Sequence, residues 1–126
     1  MKITLWIVQV LLAAMFLMAG FMKLTTPIAE LATQLPWVKD FSEGMVRFVG
    51  AVELLGAIGL ILPSLLRIKP ILTPIAALGL TTVMIAAAVY HALKGEFAAI
   101  GFNFVLGALA LFVAWGRYQK APISAR

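Results

Sequence analysis

Four long apolar segments divide the chain, and short polar stretches separate them. They cover about residues 3–22, 45–62, 71–93 and 97–115. Each is close to the length of a helix that crosses a hydrocarbon layer of ~30 Å at about 1.5 Å per residue. The pattern therefore predicts an all-α fold: an integral membrane four-helix bundle, formed by a single transmembrane domain of residues 1–126.

The first apolar segment follows Lys2, so a cleaved signal peptide is an alternative to a membrane span. The apolar run is longer than that of a typical signal peptide. In addition, the sequence 18–20, Met-Ala-Gly, fits a cleavage site poorly. We therefore expect an uncleaved first span.

The longest connection, residues 23–44, has its own periodicity. Pro27 can begin a short helix and Pro36 can end it. The apolar residues that share one face between these prolines are Ile28, Leu31 and Leu35. This spacing fits either a short amphipathic helix on the membrane surface, with Trp37 as an interfacial anchor, or an ordinary solvated loop.

The composition agrees with a membrane protein. Of the 126 residues, 63% are hydrophobic and 12% are charged, whereas a soluble domain has about half and about a quarter. The mean hydropathy is +1.07. Cysteine is absent and His91 is the only histidine, which excludes disulfides, Cys-ligated zinc, iron–sulfur clusters and bis-His haem within one chain. We therefore expect no protein-ligated metal or haem.

The net charge of +5 is distributed unevenly between the two sides of the predicted bundle. One side has basic residues and no acidic ones, and the last three of these form a short polar tail: Lys2, Arg67, Lys69, Arg117, Lys120 and Arg126. On the other side acidic residues offset the basic ones, which are Lys23, Lys39, Arg47 and Lys94. The positive-inside rule then predicts both termini in the cytoplasm and the long loop outside. Because no continuous basic face exists, we expect contact with anionic lipid and not with nucleic acid.

Four polar side chains lie where lipid should exclude them. Glu53 and Asn103 lie ~12 Å and ~9 Å below the predicted outer surface, and Lys23 and His91 lie at outer span ends. We therefore predict a chamber that opens outward, with Lys23, Glu53, His91 and Asn103 as ligand-binding residues. The inner half contains Gln9 and three hydroxyls that can bond back to their own helix, those of Thr73, Thr81 and Thr82.

Each of these side chains also has a structural interpretation. Glu53 and Lys23 can form a buried ion pair that only stabilises the bundle. Asn103 can hydrogen-bond between helices, and His91 beside Tyr90 can be an interfacial side chain. The small residues predicted to let the helices approach closely are Gly20, Gly50, Gly56 and Gly107.

Two segments resemble signatures of the DoxX family: residues 16–24, FLMAGFMKL, and residues 50–60, GAVELLGAIGL. His91 and Asn103 also occupy positions where DoxX-like proteins tend to carry polar residues. The resemblance extends over essentially the whole chain and implies a four-helix, multi-pass protein of the bacterial inner membrane. Some relatives are subunits of quinone-linked sulfur oxidation systems or of other membrane redox complexes, and members of the wider superfamily act as membrane chaperones. Because this chain has no cysteine, a thiol-redox role is not carried over.

These observations leave three hypotheses. The first is an accessory subunit of a membrane redox complex that binds a quinone or a lipid in the outer chamber. Its expected partners are membrane lipid, a quinone, and either a redox partner protein or further copies of the chain. The second is a structural or assembly protein whose polar cluster only locks the helices. The third is catalysis through proton transfer between Glu53 and His91, which requires the bundle to bring them within hydrogen-bond reach.

Overall fold

The computed structural model describes residues 1–125, and in that range it is helical with no strand. Four helices are long and apolar enough to cross a membrane: α1 (Lys2–Thr25), α3 (Glu43–Leu66), α4 (Leu72–Leu93) and α5 (Phe97–Trp115). A π-helical turn, Gly116–Lys120, continues α5. The predicted all-α membrane bundle is confirmed.

The connection between α1 and α3 contains a short helix after Pro27, one of the two alternatives that the sequence left open. This helix, α2, covers Ile28–Gln34, and a 3₁₀ turn over Pro36–Asp40 follows it. We call residues 26–42 the cap. Leu31 and Val38 of the cap are fully buried against Val46 of α3. The cap is therefore folded onto the bundle, while its position at the membrane surface stays a prediction.

The spanning helices pair into two units, α1 with α3 and α4 with α5, which make the most extensive helix contacts. Glycine makes the first pairing possible. A Cβ atom on Gly20 would lie 2.6 Å from the carbonyl oxygen of Gly50 and 2.7 Å from the amide nitrogen of Leu54. Both are backbone atoms, so α1 and α3 can lie this close only without a side chain here.

The two pairs meet at the end of the bundle that carries the start of α1, the π-helical turn after α5 and the α3–α4 turn, which we call the terminal end. Because Pro63 has no N–H, it leaves the carbonyl oxygen of Gly59 without its helical donor. The hydroxyl of Thr73 donates to this oxygen at 2.9 Å and also bonds the hydroxyl of Ser64 at 2.7 Å. Thr73 thus bonds across to α3 and does not use the bond back to α4 that its sequence position allows. Thr81 and Thr82 do bond back, to Ala77 and Leu78.

A second contact between the pairs corrects the prediction of a polar tail at Arg117. This side chain is only 4% exposed. Its Nε donates to Gln9 Oε1 at 2.5 Å, and its guanidinium lies 5.2 Å from the ring centre of Trp6. The π-helical turn extends α5 past the last apolar residue and so places Arg117 against Gln9 and Trp6 of α1. The terminal half therefore contains a buried polar contact in addition to apolar packing.

The main core lies between the two pairs, from the terminal end to the middle of the bundle. Its large side chains include Leu12, Phe16, Leu60, Leu80, Leu106 and Val113. The outward faces of all four spanning helices are also apolar, with exposed residues such as Ile3, Leu55, Ile85 and Phe104. Apolar surface on both the inside and the outside suits a bundle whose solvent is lipid.

Candidate functional site

A cavity of about 1130 Å³ lies between the two helix pairs at the opposite end, which we call the loop end. The four spanning helices and the cap all contribute to its wall. Its deepest side chains are the buried Phe16, Met84 and Leu106, and the cap covers it with Leu35, Pro36, Trp37 and Phe41. We call this cavity the chamber. All four residues predicted to form a site, Lys23, Glu53, His91 and Asn103, line it.

Lys23 and Glu53 form an ion pair inside the bundle. The ammonium nitrogen of Lys23 lies 2.5 Å from Glu53 Oε1, and the two residues are 8% and 3% exposed. Gly50 allows this placement because it has no side chain. A Cβ atom on it would lie only 2.7 Å from the Cβ of Lys23. The lysine thus lies directly against α3, and its long side chain reaches the carboxylate.

The ion pair leaves hydrogen-bonding capacity unused. A lysine ammonium has three donors and a carboxylate has several acceptor positions, whereas among the described residues this pair shares a single bond. Asn103 is 7% exposed, and its amide nitrogen has no hydrogen-bond partner in residues 1–125. An unpaired buried amide costs about 1–3 kcal/mol. Lys23, Glu53 and Asn103 therefore have unused hydrogen-bonding capacity in the wall of the chamber.

His91 lies in the chamber wall beside Tyr90 and pairs with a different acid. Its Nδ1 lies 2.9 Å from Glu96 Oε1, in the α4–α5 turn. Within the described range, Glu53 bonds Lys23 and His91 bonds Glu96. The structure thus brings His91 into the same chamber as Glu53 but gives no direct hydrogen bond for proton transfer between them.

A contact that the sequence analysis missed holds the cap over the chamber. The carboxylate of Asp40, in the cap, accepts a hydrogen bond from the hydroxyl of Tyr90. The ammonium of Lys94 lies 3.2 Å from the same carboxylate, and the ring of Phe41 lies 5.3 Å from that of Tyr90. The hydrogen bond from Tyr90, and secondly the interaction with Lys94, hold the pKa of Asp40 below its ordinary value. A sequence signal existed: Tyr90 and Lys94 are four residues apart at the end of α4 and share a face.

Arg47 fixes the start of the cap. Its guanidinium donates to the carbonyl oxygens of Lys23 and Thr26, at 2.6 and 2.8 Å. Lys23 belongs to the last turn of α1, where helical backbone acceptors lack partners, and Thr26 is the first residue of the cap. From the sequence, Arg47 was counted only among the basic residues of the predicted outer side, because hydropathy does not indicate which carbonyls a side chain can reach.

The chamber therefore combines apolar walls with a few polar groups: Lys23, Glu53, His91, Glu96 and Asn103. No group of three or more His, Cys, Asp or Glu residues within residues 1–125 is arranged to hold a metal ion. The model for the DoxX-like family matches residues 7–113 of the chain. The chain belongs to the DoxX-like family. The resemblance inferred from the motifs is thus confirmed, and the matched range contains all four chamber residues of this DoxX-like protein.

The other comparisons add no relative. No curated protein and no solved structure shows a significant match to this DoxX-like chain. The membership supports a membrane protein.

Proposed function

We propose that this DoxX-like protein binds a small, largely apolar molecule with a polar head, a quinone or a lipid, in the chamber. In this role it is an accessory subunit of a quinone-linked redox complex of the bacterial inner membrane. The observation that carries the proposal is a large apolar cavity whose few polar groups have unused hydrogen-bonding capacity. Sites for small molecules commonly have this form.

The charge of the site favours a neutral head group. Lys23 and Glu53 neutralise each other at 2.5 Å, so together they do not attract an ion. Their remaining donors and acceptors, with the amide of Asn103, can bond carbonyl or hydroxyl groups. A quinone ring or a lipid ester presents such groups on an otherwise apolar molecule.

The redox role is assigned to the complex and not to this chain alone. The sequence has no cysteine and one histidine, so its side chains offer no thiol couple for electron transfer. A partner protein or a bound cofactor would therefore carry the electrons. We assign to this chain the task of holding the ligand.

The orientation follows from the charges of the connections. Within the described residues, the segments at the terminal end contain basic residues and no acidic ones. The basic residues are Lys2, Arg67, Lys69, Arg117 and Lys120. The positive-inside rule places this end in the cytoplasm. The chamber then opens toward the extracytoplasmic half of the membrane.

Titration of the purified protein with a quinone tests the proposal. We expect the wild type to bind, and the double variant Lys23→Met with Glu53→Gln to bind at least about tenfold more weakly, since polar contacts to the head group are lost. The matched control is Glu43→Gln, which removes an exposed carboxylate at the start of α3. Equal affinity in the wild type and the double variant would remove the ion pair from the site.

One observation favours a second function, that of a structural or assembly protein. The Lys23–Glu53 pair lies between α1 and α3 where these helices are in closest contact, so it can serve only to lock them. This function predicts that no quinone or lipid binds in a defined ratio, while variants of the pair lose stability. Mass spectrometry of the protein released intact from the membrane distinguishes the two, because a bound molecule adds a defined mass.

A further inference from the structure

The two helix pairs are joined firmly at the terminal end and separate toward the loop end. Between α1 and α5, the Gln9–Arg117 hydrogen bond lies at 2.5 Å, and the side chain of Leu5 occupies the space beside Gly116. Farther along the same two helices, both line the chamber. The contact between α1 and α5 is also smaller than that between any other two neighbouring spanning helices.

The edges of this separation are apolar, and three of their residues are alanines. Ala19 of α1, with Ala98 and Ala99 of α5, lines the chamber. Farther toward the middle of the bundle, Met15 and Phe102 line it as well and are 41% and 58% exposed. These residues belong to spanning helices, so their exposed surface faces hydrocarbon and not water. We call this opening, between Ala19 and Met15 on one side and Ala98 and Phe102 on the other, the side gap.

The helices α3 and α4 contact each other more extensively than α1 and α5 do. Between α3 and α4, the bulky side chains of Met45 and Phe48 line the cavity on the α3 side. Above them the cap is held to α4, because Asp40 bonds Tyr90 and Phe41 packs on the same ring. The loop end is thus covered by a folded segment, whereas between α1 and α5 the small side chains of Ala19, Ala98 and Ala99 form part of the chamber wall.

We propose that the side gap holds the apolar chain of the ligand, so that the molecule enters the chamber sideways from the membrane interior. This inference rests on the proposed function, and it specifies the ligand as a membrane-dissolved amphiphile with a single extended chain. The polar head lies against Lys23, Glu53 and Asn103, and the chain leaves between α1 and α5. A chain of this kind remains in an apolar environment along its whole length.

The test compares two probes that share one head group. One is a dimethoxy-methyl-benzoquinone with a decyl chain, and the other is the same ring without the chain. Ala19→Trp fills the side gap and should lower the affinity for the decyl probe by about tenfold or more. This is the loss expected when about two methylene groups are kept out of an apolar site. The affinity for the ring alone should change less than about twofold, which also shows that the variant is folded.

A neighbouring residue supplies the matched control. Met18 is 71% exposed and is not part of the chamber wall, so Met18→Trp should leave both affinities unchanged. Ala98→Trp repeats the test from the opposite edge of the gap and should have the same effect as Ala19→Trp.

Each outcome decides a different point. If the wild type binds both probes and neither Ala19→Trp nor Ala98→Trp discriminates between them, the side gap is wrong and the proposed chamber site stands. If the probe with the decyl chain binds the wild type no more tightly than the ring alone, the proposed role of the side gap is again overturned. If the wild type binds neither probe, the proposed quinone-binding function fails and the inference fails with it.

Discussion

Glu53 brings a carboxylate into an apolar bundle, and Lys23 meets it there at 2.5 Å. Taking two charges out of water costs several kcal/mol per ion, so the pair is stable only while both partners are present. The same two residues were identified from the sequence because lipid should exclude each of them. The distance between them depended on Gly50, which lets Lys23 lie against α3.

We predict that Glu53→Gln alone lowers the free energy of unfolding by about 3–5 kcal/mol, because it leaves a buried ammonium without a counter-charge. Adding Lys23→Met to this variant should recover most of the loss. Unfolding of the detergent-solubilised protein by heat or denaturant measures both. A double variant that is no more stable than the single one would contradict a coupled pair.

Asp40 supplies a prediction about pH. Its pKa is lowered in the folded protein by the hydrogen bond from Tyr90 and by Lys94. A lowered pKa means that the contact stabilises the cap at every pH above the ordinary carboxyl value of 3.8, and is lost only as the pH falls through the lower folded value. We therefore expect the cap to stay closed, as far as Asp40 is concerned, throughout the range from about pH 5 to 8.

The fluorescence of Trp37 can report this transition, because its ring lies 5.8 Å from that of Phe41 in the cap. A change should appear only in strong acid. Asp40→Asn should remove that acid transition and loosen the cap at neutral pH. A transition between pH 5 and 7 that Asp40→Asn abolishes would show that the sign of the effect is wrong.

At the scale of helices, the distance between α1 and α3 depends on Gly20. A methyl group there would meet backbone atoms of Gly50 and Leu54 at 2.6 and 2.7 Å, and backbone cannot rotate away as a side chain can. We expect Gly20→Ala to destabilise the protein by about 1–3 kcal/mol, the usual cost of overpacking, and to disturb the Lys23–Glu53 pair.

Gly79 provides the matched control for this substitution. It also lies within a spanning helix, but a Cβ atom on it would meet nothing within 4 Å. Gly79→Ala should therefore be neutral or stabilise by up to about 1 kcal/mol, since alanine has the better helix propensity. Thermal unfolding of the two variants side by side checks the difference. Equal effects would mean that the α1–α3 contact is less close than described.

At the scale of the whole molecule, the prediction concerns orientation. The sequence contains no cysteine, so a single introduced thiol can be labelled without background. Lys39→Cys lies in the cap and Lys69→Cys in the α3–α4 turn, at opposite ends of the bundle. With both termini in the cytoplasm, a membrane-impermeant maleimide should label the first in intact cells and the second only after lysis. The reverse pattern would invert the topology.

The spanning helices and the chamber residues were predictable because both are local properties of the sequence. A run of apolar residues long enough to cross lipid forms a helix wherever it occurs. A charge or amide within such a run, as at Glu53 and Asn103, is unusual regardless of its neighbours. The DoxX-like motifs, confirmed by the family match to residues 7–113, were local in the same sense.

The contacts of Arg117, Arg47 and Asp40 were not predictable in this way. Arg117 follows the last apolar residue of α5 and was assigned to a solvated tail, yet a π-helical turn brings it to Gln9. Asp40 and Tyr90 are 50 residues apart in sequence. Each contact depends on how a helix is rotated and displaced relative to another, which no short segment encodes.

The sequence by itself therefore determined how many helices cross the membrane, which side chains are out of place in lipid, and which family the chain belongs to. The tertiary structure decided that these side chains line one chamber, that Asp40 holds the cap over it, and that α1 and α5 separate at its side. The physical reason is the solvent. In lipid both the outward and the inward face of a helix are apolar, so no polar stripe indicates which face packs against which neighbour. That choice is made by close contacts such as those at Gly20 and Gly50, and these exist only in the assembled bundle.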